Sequence, residues 1–142
     1  MRMAYILLIT VLGTFAFAFL NGYGLRLNLS PSLPHKLYFS FPSTNPQIGQ
    51  IVSFKKPESS VTFAKVIVGA PGDIIAVENC KVSVNGIESG EILYGFDPIK
   101  DQIIPEGYYF LMGSHLESFD SRYAVFGLVP QEDMEEKLCP IF

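Results

Sequence analysis

Hydrophobic residues form one long run near the start of the chain and only short runs after it. Residues 3–20 contain no charged side chain, and as a helix they would be about 27 Å long, close to the roughly 30 Å of a bilayer core. The pattern therefore predicts a membrane-spanning helix. A cleaved secretory signal is one alternative, because Arg2 precedes the run and Ala16-Phe17-Ala18 has the small-x-small form of a cleavage site. A buried core helix is another.

Beyond Leu27, prolines recur so often that no long helix fits between them. Short runs rich in β-branched and aromatic residues lie among these prolines and are typical of strands. We therefore expect a mainly β body, with strands over residues 51–54, 61–68, 73–77, 80–84, 108–112 and 123–129.

Two local signals add detail to this body. Residues 81–84 alternate between polar and apolar side chains and are followed by Asn85-Gly86, the dipeptide that most favours a type I′ hairpin turn. The acidic segment 131–136 predicts one helical turn near the end of the sequence.

The composition limits the class of protein. The 142 residues suffice for one domain of ordinary size. They are 49% hydrophobic and 17% charged, which excludes a disordered chain. The formal net charge of −4 argues against nucleic acid as a partner, because binding to phosphates needs a basic surface.

The two cysteines, Cys80 and Cys139, do not form a metal-binding motif, and the histidines are not clustered with them. We expect neither a metal nor another cofactor. In an exported domain two cysteines are typical of a disulfide, so we predict one between Cys80 and Cys139.

Two segments contain candidate catalytic residues. Pro31 and Pro34 restrict the backbone around Ser32, and such a loop can hold a nucleophile, although many loops of this composition are linkers. Lys65 is the one charged residue in an apolar strand. If buried, it would lose its proton readily and accept one from a serine hydroxyl; if it faces solvent, it has no such role.

A third candidate segment is Ser118-Phe119-Asp120-Ser121-Arg122. If it is a strand, Ser118, Asp120 and Arg122 share one face; a plain surface ion pair is the alternative. A Ser-His-Asp triad of Ser32, His115 and Asp120 is a competing arrangement, but the chain from His115 to Asp120 would have to double back to form it.

Taken in order, these segments resemble the type I signal peptidase family, most closely its conjugative-transfer (TraF) branch. Asn28-Leu29-Ser30-Pro31-Ser32-Leu33-Pro34 is similar to the serine motif of that family. The run from Lys65 through Gly72-Asp73 is similar to its lysine motif, and Ser118 to Tyr123 to its Asp-Ser-Arg motif.

The resemblance implies a role for each matching residue. Ser32 would be the nucleophile and Lys65 the general base of a Ser-Lys dyad. Ser30 would donate a hydroxyl to the oxyanion hole, and Ser118 would orient the lysine ammonium. Asp120 and Arg122 would form a supporting salt bridge.

It also implies a mainly β, barrel- or sandwich-like catalytic core after one transmembrane helix. Residues 1–25 would be the signal anchor and residues 26–142 a periplasmic catalytic domain attached to the inner membrane, an orientation that agrees with the single positive charge of Arg2 before the span. The expected partner is an exported precursor with a leader peptide, such as a conjugative pilin, whose product is linear or cyclised.

Two other functions remain open at this stage. One is a self-cleaving, repressor-like peptidase, which shares the dyad but is disfavoured because a membrane span, and not DNA-binding helices, precedes the domain. The other is a catalytically silent β-module of a conjugation or secretion apparatus.

Overall fold

A computed structural model describes residues 2–43, 45–93 and 95–141, which form a helix followed by a β-rich body. Helix α1 spans Arg2–Leu20. A 3₁₀ turn covers Gln131–Asp133, and strands β1 to β11 are Gly24–Leu27, Leu37–Pro42, Ile51–Lys55, Thr62–Gly69, Ile74–Glu78, Lys81–Val84, Ile87–Glu91, Gln102–Ile103, Tyr108–Met112, Val129–Pro130 and Met134–Pro140.

Helix α1 is long and apolar enough to cross a membrane, judged by its length and composition. None of its described side chains is buried in the protein. This contradicts the core-helix alternative, because a core helix would be covered by the body of the protein.

Within the described residues the strands form two antiparallel sheets. The larger sheet has the order β1-β2-β11-β3-β4-β9-β10, and the smaller one the order β7-β6-β5-β8. The expected mainly β fold with a preceding apolar helix is confirmed.

Strand β9 lies between the two main hydrophobic clusters. Its side chains alternate between them: Tyr109 and Leu111 pack with Val52 and Phe54 of the larger sheet. Phe110 and Met112 pack instead with residues of the smaller sheet such as Ile75. The strand ends at Met112, directly before Gly113.

Most of the predicted strands are present, and the predicted hairpin turn is confirmed. Asn85 and Gly86 both have positive φ, 52° and 77°, and they connect the paired residues Val84 and Ile87. Both central residues of a type I′ turn need this left-handed conformation.

The predicted strand over residues 123–129 is wrong. Only Val129–Pro130 is a strand there, and Tyr123 makes an isolated bridge to Pro98. The preceding backbone bends into turns, with the Phe126 N–H donating to the Tyr123 carbonyl over 3.0 Å. These turns direct the rings of Tyr123 and Phe126 into the core.

The helical turn predicted over residues 131–136 covers only Gln131–Asp133. The chain then extends as β11, which lies between β2 and β3 and pairs with both. These two long-range partners override the local helical preference of the acidic residues.

The predicted disulfide is absent, since both cysteines are free in the structure. Cys80 is exposed in the turn between β5 and β6 of the smaller sheet. Cys139 lies on β11 of the larger sheet, opposite Phe39. The two residues therefore belong to different sheets.

Candidate active site

The loop that contains Ser32 is held by a side chain that precedes it. Asn28 accepts a hydrogen bond from the Ser30 N–H over 3.0 Å and donates one to the His35 carbonyl over 3.1 Å. Leu33 is buried and packs against Tyr38 and Leu138. Ser32 is thereby fixed in a short irregular segment between β1 and β2.

Lys65 lies on β4, opposite Val52 of β3, and its side chain reaches the serine loop. Its Nζ is 3.0 Å from Ser32 Oγ and 2.6 Å from Ser118 Oγ. The residue is only 3% exposed, so the alternative of a solvent-facing lysine is wrong.

Burial lowers the pKa of Lys65 below its usual value, because the charged ammonium loses its hydration. The negative charge of Asp120 works in the opposite direction, and the positive charge of Arg122 adds to the lowering. The environment therefore favours a free amine, the form that can accept a proton.

Ser30 lies beside the dyad and contacts Ser32 twice. Its hydroxyl is 2.8 Å from Ser32 Oγ, and its Oγ accepts the Ser32 N–H over 3.1 Å. The Ser30 hydroxyl, which the resemblance assigns to an oxyanion hole, is thus bonded to Ser32 in this structure.

Asp120 and Arg122 form a buried ion pair, with Arg122 Nε 2.8 Å from Asp120 Oδ1 and Nη2 2.9 Å from Oδ2. Both residues are at most 2% exposed. The surface ion pair is therefore excluded. The expectation that Ser118, Asp120 and Arg122 share a strand face is also wrong, because residues 118–122 form bends and turns.

This ion pair holds residues 113–118, which follow β9 and which we call the bracket loop. Asp120 Oδ2 accepts the Gly113 N–H over 3.0 Å at the start of the loop. Arg122 Nη2 donates to the carbonyl of Ser118 over 3.0 Å at its end. The ion pair therefore forms hydrogen bonds with both ends of the bracket loop.

The competing Ser-His-Asp triad is not formed. The Asp120 carboxylate is bonded to Arg122 and to the Gly113 N–H. His115 Nδ1 accepts the N–H of Glu117 over 3.2 Å. The imidazole is thus engaged within its own loop.

Three residues of the site were not singled out from the sequence. Asn28 was recognisable in principle, since an Asn two positions before a serine often bonds its backbone. Gly113 and Ser114 gave no such signal, because their contacts are with residues distant in sequence. A Cβ on Gly113 would overlap Ser118 Oγ and lie 3.0 Å from the Ser32 carbonyl oxygen.

An open groove of about 890 Å³ leads to the dyad. It is lined by β1 and the loop after it, by β3, β4 and β11, and by Phe119. Within it, Arg26 makes a two-point contact with Glu136, at 2.8 and 2.6 Å, and this hydrogen bonding raises the pKa of Arg26.

Two strands border the groove with backbone edges that have no strand partner among the described residues. β1 is one of the two edge strands of the larger sheet. The pairing of β4 with β9 extends only to Val66 opposite Met112, so residues 62–65 pair with β3 alone. An extended peptide can add to such edges by main-chain hydrogen bonds.

The fold and the site define a class: a mainly β protein in which a buried lysine contacts a serine at the end of a groove. The family model "Signal peptidase, peptidase S26" matches residues 1–141. This chain therefore belongs to the signal peptidase family S26.

Individual relatives agree with that assignment. Signal peptidase I of Pseudomonas aeruginosa is 27% identical over 84% of this chain and 55% of its own length. Signal peptidase I P of Bacillus subtilis subsp. natto is 30% identical over 61% of this chain and 54% of its own. The chain thus spans about half the length of these curated relatives.

A crystal structure of a signal peptidase I from Enterococcus faecalis is also similar, with a TM-score of 0.48 and 26% identity. The match covers 68% of this chain and 98% of that one. The family match over residues 1–141 confirms the resemblance to the signal peptidase family, whereas placement in the conjugative-transfer branch stays a prediction.

Proposed function

We propose that this protein is a membrane-anchored serine endopeptidase that removes the leader from an exported precursor, with Ser32 as nucleophile and Lys65 as general base. The observation that carries the proposal is the 3.0 Å contact between Ser32 Oγ and the buried Lys65 Nζ. A nucleophile and a base within hydrogen-bond reach, with a third group orienting the base, are the elements of covalent acyl transfer. Membership of the signal peptidase family supports the same reaction.

In the proposed reaction, the free amine of Lys65 accepts the Ser32 hydroxyl proton as Oγ attacks the scissile carbonyl. The lysine then gives this proton to the leaving amine, and an acyl-enzyme remains on Ser32. Ser118 Oγ, 2.6 Å from Lys65 Nζ, orients the amine towards Ser32 Oγ. Water resolves the ester with Lys65 again acting as base.

The oxyanion hole is proposed to consist of the Ser32 N–H and the Ser30 hydroxyl. Both lie next to the attacking oxygen. To serve the transition state, the Ser30 hydroxyl must rotate from Ser32 Oγ to the substrate oxygen, and the Ser32 N–H must exchange Ser30 Oγ for the same oxygen. The substrate oxygen thereby replaces two contacts between Ser30 and Ser32.

The groove is proposed to bind the precursor as an extended segment between β1 and residues 62–65 of β4. The groove lining begins at Gly22, two residues after the end of α1. A leader that leaves the bilayer beside α1 would therefore reach the groove directly.

For the placement in the cell, we propose residues 1–25 as a signal anchor that stays attached. Residues 26–142 would then be the catalytic domain on the periplasmic side of the inner membrane. The apolar α1 supports an anchor, and Arg2 as the charge before it supports this orientation.

The substrate class rests on the resemblance to the conjugative-transfer branch alone. We propose a pilin precursor, with either water or a substrate amine as the acceptor of the acyl group. Mass spectrometry of the processed pilin distinguishes the two products, because a cyclic peptide is 18 Da lighter than its linear form by loss of one water.

The test compares the full chain in detergent with its Ser32→Ala and Lys65→Ala variants. The substrates are a pilin precursor and a reporter preprotein with an Ala-x-Ala leader, and gel shift reports cleavage. We expect cleavage by the wild type and none by either variant, while circular dichroism shows each variant folded. Ser60→Ala, at an exposed serine in the β3–β4 turn, is the matched control.

Processing by both dyad variants would contradict the assigned residues. A wild-type chain that cleaves neither precursor would favour the catalytically silent module instead.

A further inference from the structure

The two prolines near Ser32 do not restrain the backbone torsions of the nucleophile itself. Pro31 fixes its own φ and restricts Ser30, and Pro34 does the same for Leu33. Neither proline acts on the ψ of Ser32, the torsion that orients its carbonyl group. A separate contact is needed to fix it.

Ser114 supplies two hydrogen bonds at this carbonyl. Its main-chain N–H donates to the Ser32 oxygen over 2.8 Å, and its hydroxyl donates to the same oxygen over 3.1 Å. A carbonyl with two lone pairs can accept both donors. The orientation of the Ser32 carbonyl is therefore set by the bracket loop.

The same loop also holds the base. Ser118, at its other end, accepts a hydrogen bond from Lys65 Nζ, and Gly113 allows the loop to approach Ser32 and Ser118 without steric overlap. One six-residue segment thus contacts both members of the dyad, the nucleophile through Ser114 and the base through Ser118.

We propose that Ser114 is a positioning residue, which fixes the backbone of the nucleophile through a two-donor contact with the Ser32 carbonyl. This inference rests on the proposed function, because Ser32 is the nucleophile only if the chain is a serine peptidase. Ser114 does not touch the reacting atoms, so it acts only through the orientation of Ser32.

Ser114→Ala removes the hydroxyl donor but keeps the main-chain N–H. The loss of one neutral hydrogen bond predicts a kcat lower by about 3- to 10-fold, with KM unchanged because no Ser114 atom lines the groove. Ser114→Thr retains the hydroxyl and should restore most of the rate. The acid limb of the pH–rate profile of Ser114→Ala should lie at the same pH as in the wild type, since no hydrogen bond joins Ser114 to Lys65 among the described residues.

Ser89→Ala is the matched control. The Ser89 hydroxyl also donates to a main-chain carbonyl, that of Ile87, over 3.1 Å, but it lies on β7 of the smaller sheet. This variant should cleave the reporter preprotein at the wild-type rate.

A second measurement does not depend on cleavage. Hydrogen exchange of peptides covering residues 28–36, followed by mass spectrometry, should be faster in Ser114→Ala than in Ser89→Ala. The full chain in detergent is used for both.

Equal kcat and equal exchange in Ser114→Ala, Ser89→Ala and wild type would overturn the inference. A lower kcat in Ser114→Ala that Ser114→Thr does not restore would also overturn it. If Ser32→Ala and Lys65→Ala still cleave, the proposed function itself fails, and the exchange experiment alone then decides whether Ser114 holds the loop.

Discussion

At the residue scale, the central feature is a lysine buried in a sheet with serines as its side-chain hydrogen-bond partners among the described residues. A buried ammonium is costly unless an acid neutralises it. Asp120 contributes attraction, but its carboxylate is bonded to Arg122, so it does not neutralise Lys65 directly. The fold thus favours the neutral form of Lys65, which is the form that the proposed general base needs.

This arrangement makes the stability of the fold depend on pH. Because burial lowers the pKa of Lys65 in the folded state, the unfolded chain binds this proton more tightly. The destabilisation caused by burying a charged Lys65 is fully present below the pKa of Lys65 in the folded state. Wild-type stability rises as pH increases from that pKa to the ordinary lysine value of about 10.5.

In Lys65→Met this pH dependence is removed. We therefore expect the difference in unfolding free energy, variant minus wild type, to be largest at neutral pH and to decrease towards pH 10.5. Urea denaturation across this range measures it. Lys55→Met, at an exposed lysine on β3, is the control; parallel pH curves for the two variants would contradict the prediction.

At the element scale, the bracket loop has irregular backbone, and its shape depends on the Asp120–Arg122 pair. Arg122 also donates to the Glu91 carbonyl over 2.7 Å at the end of β7. It therefore ties the loop to the smaller sheet as well as to Asp120. Removal of either Asp120 or Arg122 leaves the other as an uncompensated buried charge.

We expect Asp120→Ala to lower the free energy of unfolding by about 3–5 kcal/mol, and to abolish cleavage because the loop that contacts both dyad residues opens. Urea denaturation gives the first value and the reporter assay the second. The exposed pair Lys55–Glu135 is the comparison, and Glu135→Ala should cost less than about 1 kcal/mol. Similar losses in both variants would contradict this account.

The same elements show which parts of the fold local sequence could predict. The Asn85-Gly86 hairpin was predictable because its turn conformation is set by two adjacent residues. β11 was not, because it contains the charged residues 135–137 and depends on pairing with two strands distant in sequence. Strands β1, β2, β7 and β8 were missed as well.

For the site, the sequence motifs indicated Ser32 and Lys65, and the structure brings their reactive atoms together. The burial of Lys65 could not be read from its strand alone, since an alternating strand can place either face outward. The contacts of Gly113 and Ser114 could not be foreseen either, because they depend on where β9 ends relative to the serine loop.

At the scale of the whole molecule, the chain combines a β body with a helix that packs on none of it. The 19 residues of α1 are about 28 Å long, and no described side chain of the helix is buried. The core clusters come entirely from the rest of the chain. The body therefore does not need α1 to complete its core.

We expect a chain lacking residues 1–20 to fold and to cleave a short soluble peptide at a rate near that of the full chain. It should fail to co-sediment with liposomes, whereas the full chain should bind them. Circular dichroism, peptide cleavage and flotation measure these three properties. An unfolded truncated chain would show instead that α1 contributes to the body, and flotation of the truncated chain would show a second membrane-binding surface.

The three-residue connection between α1 and β1 has a kinetic consequence. Asn21 and Gly22 are held by hydrogen bonds back to Phe17 and Phe19, so the body cannot move far from the end of its helix. If α1 lies in the bilayer, enzyme and precursor meet by lateral diffusion in two dimensions. The encounter rate would then depend on the number of molecules per area of lipid, and adding empty lipid would slow processing even at a fixed total volume.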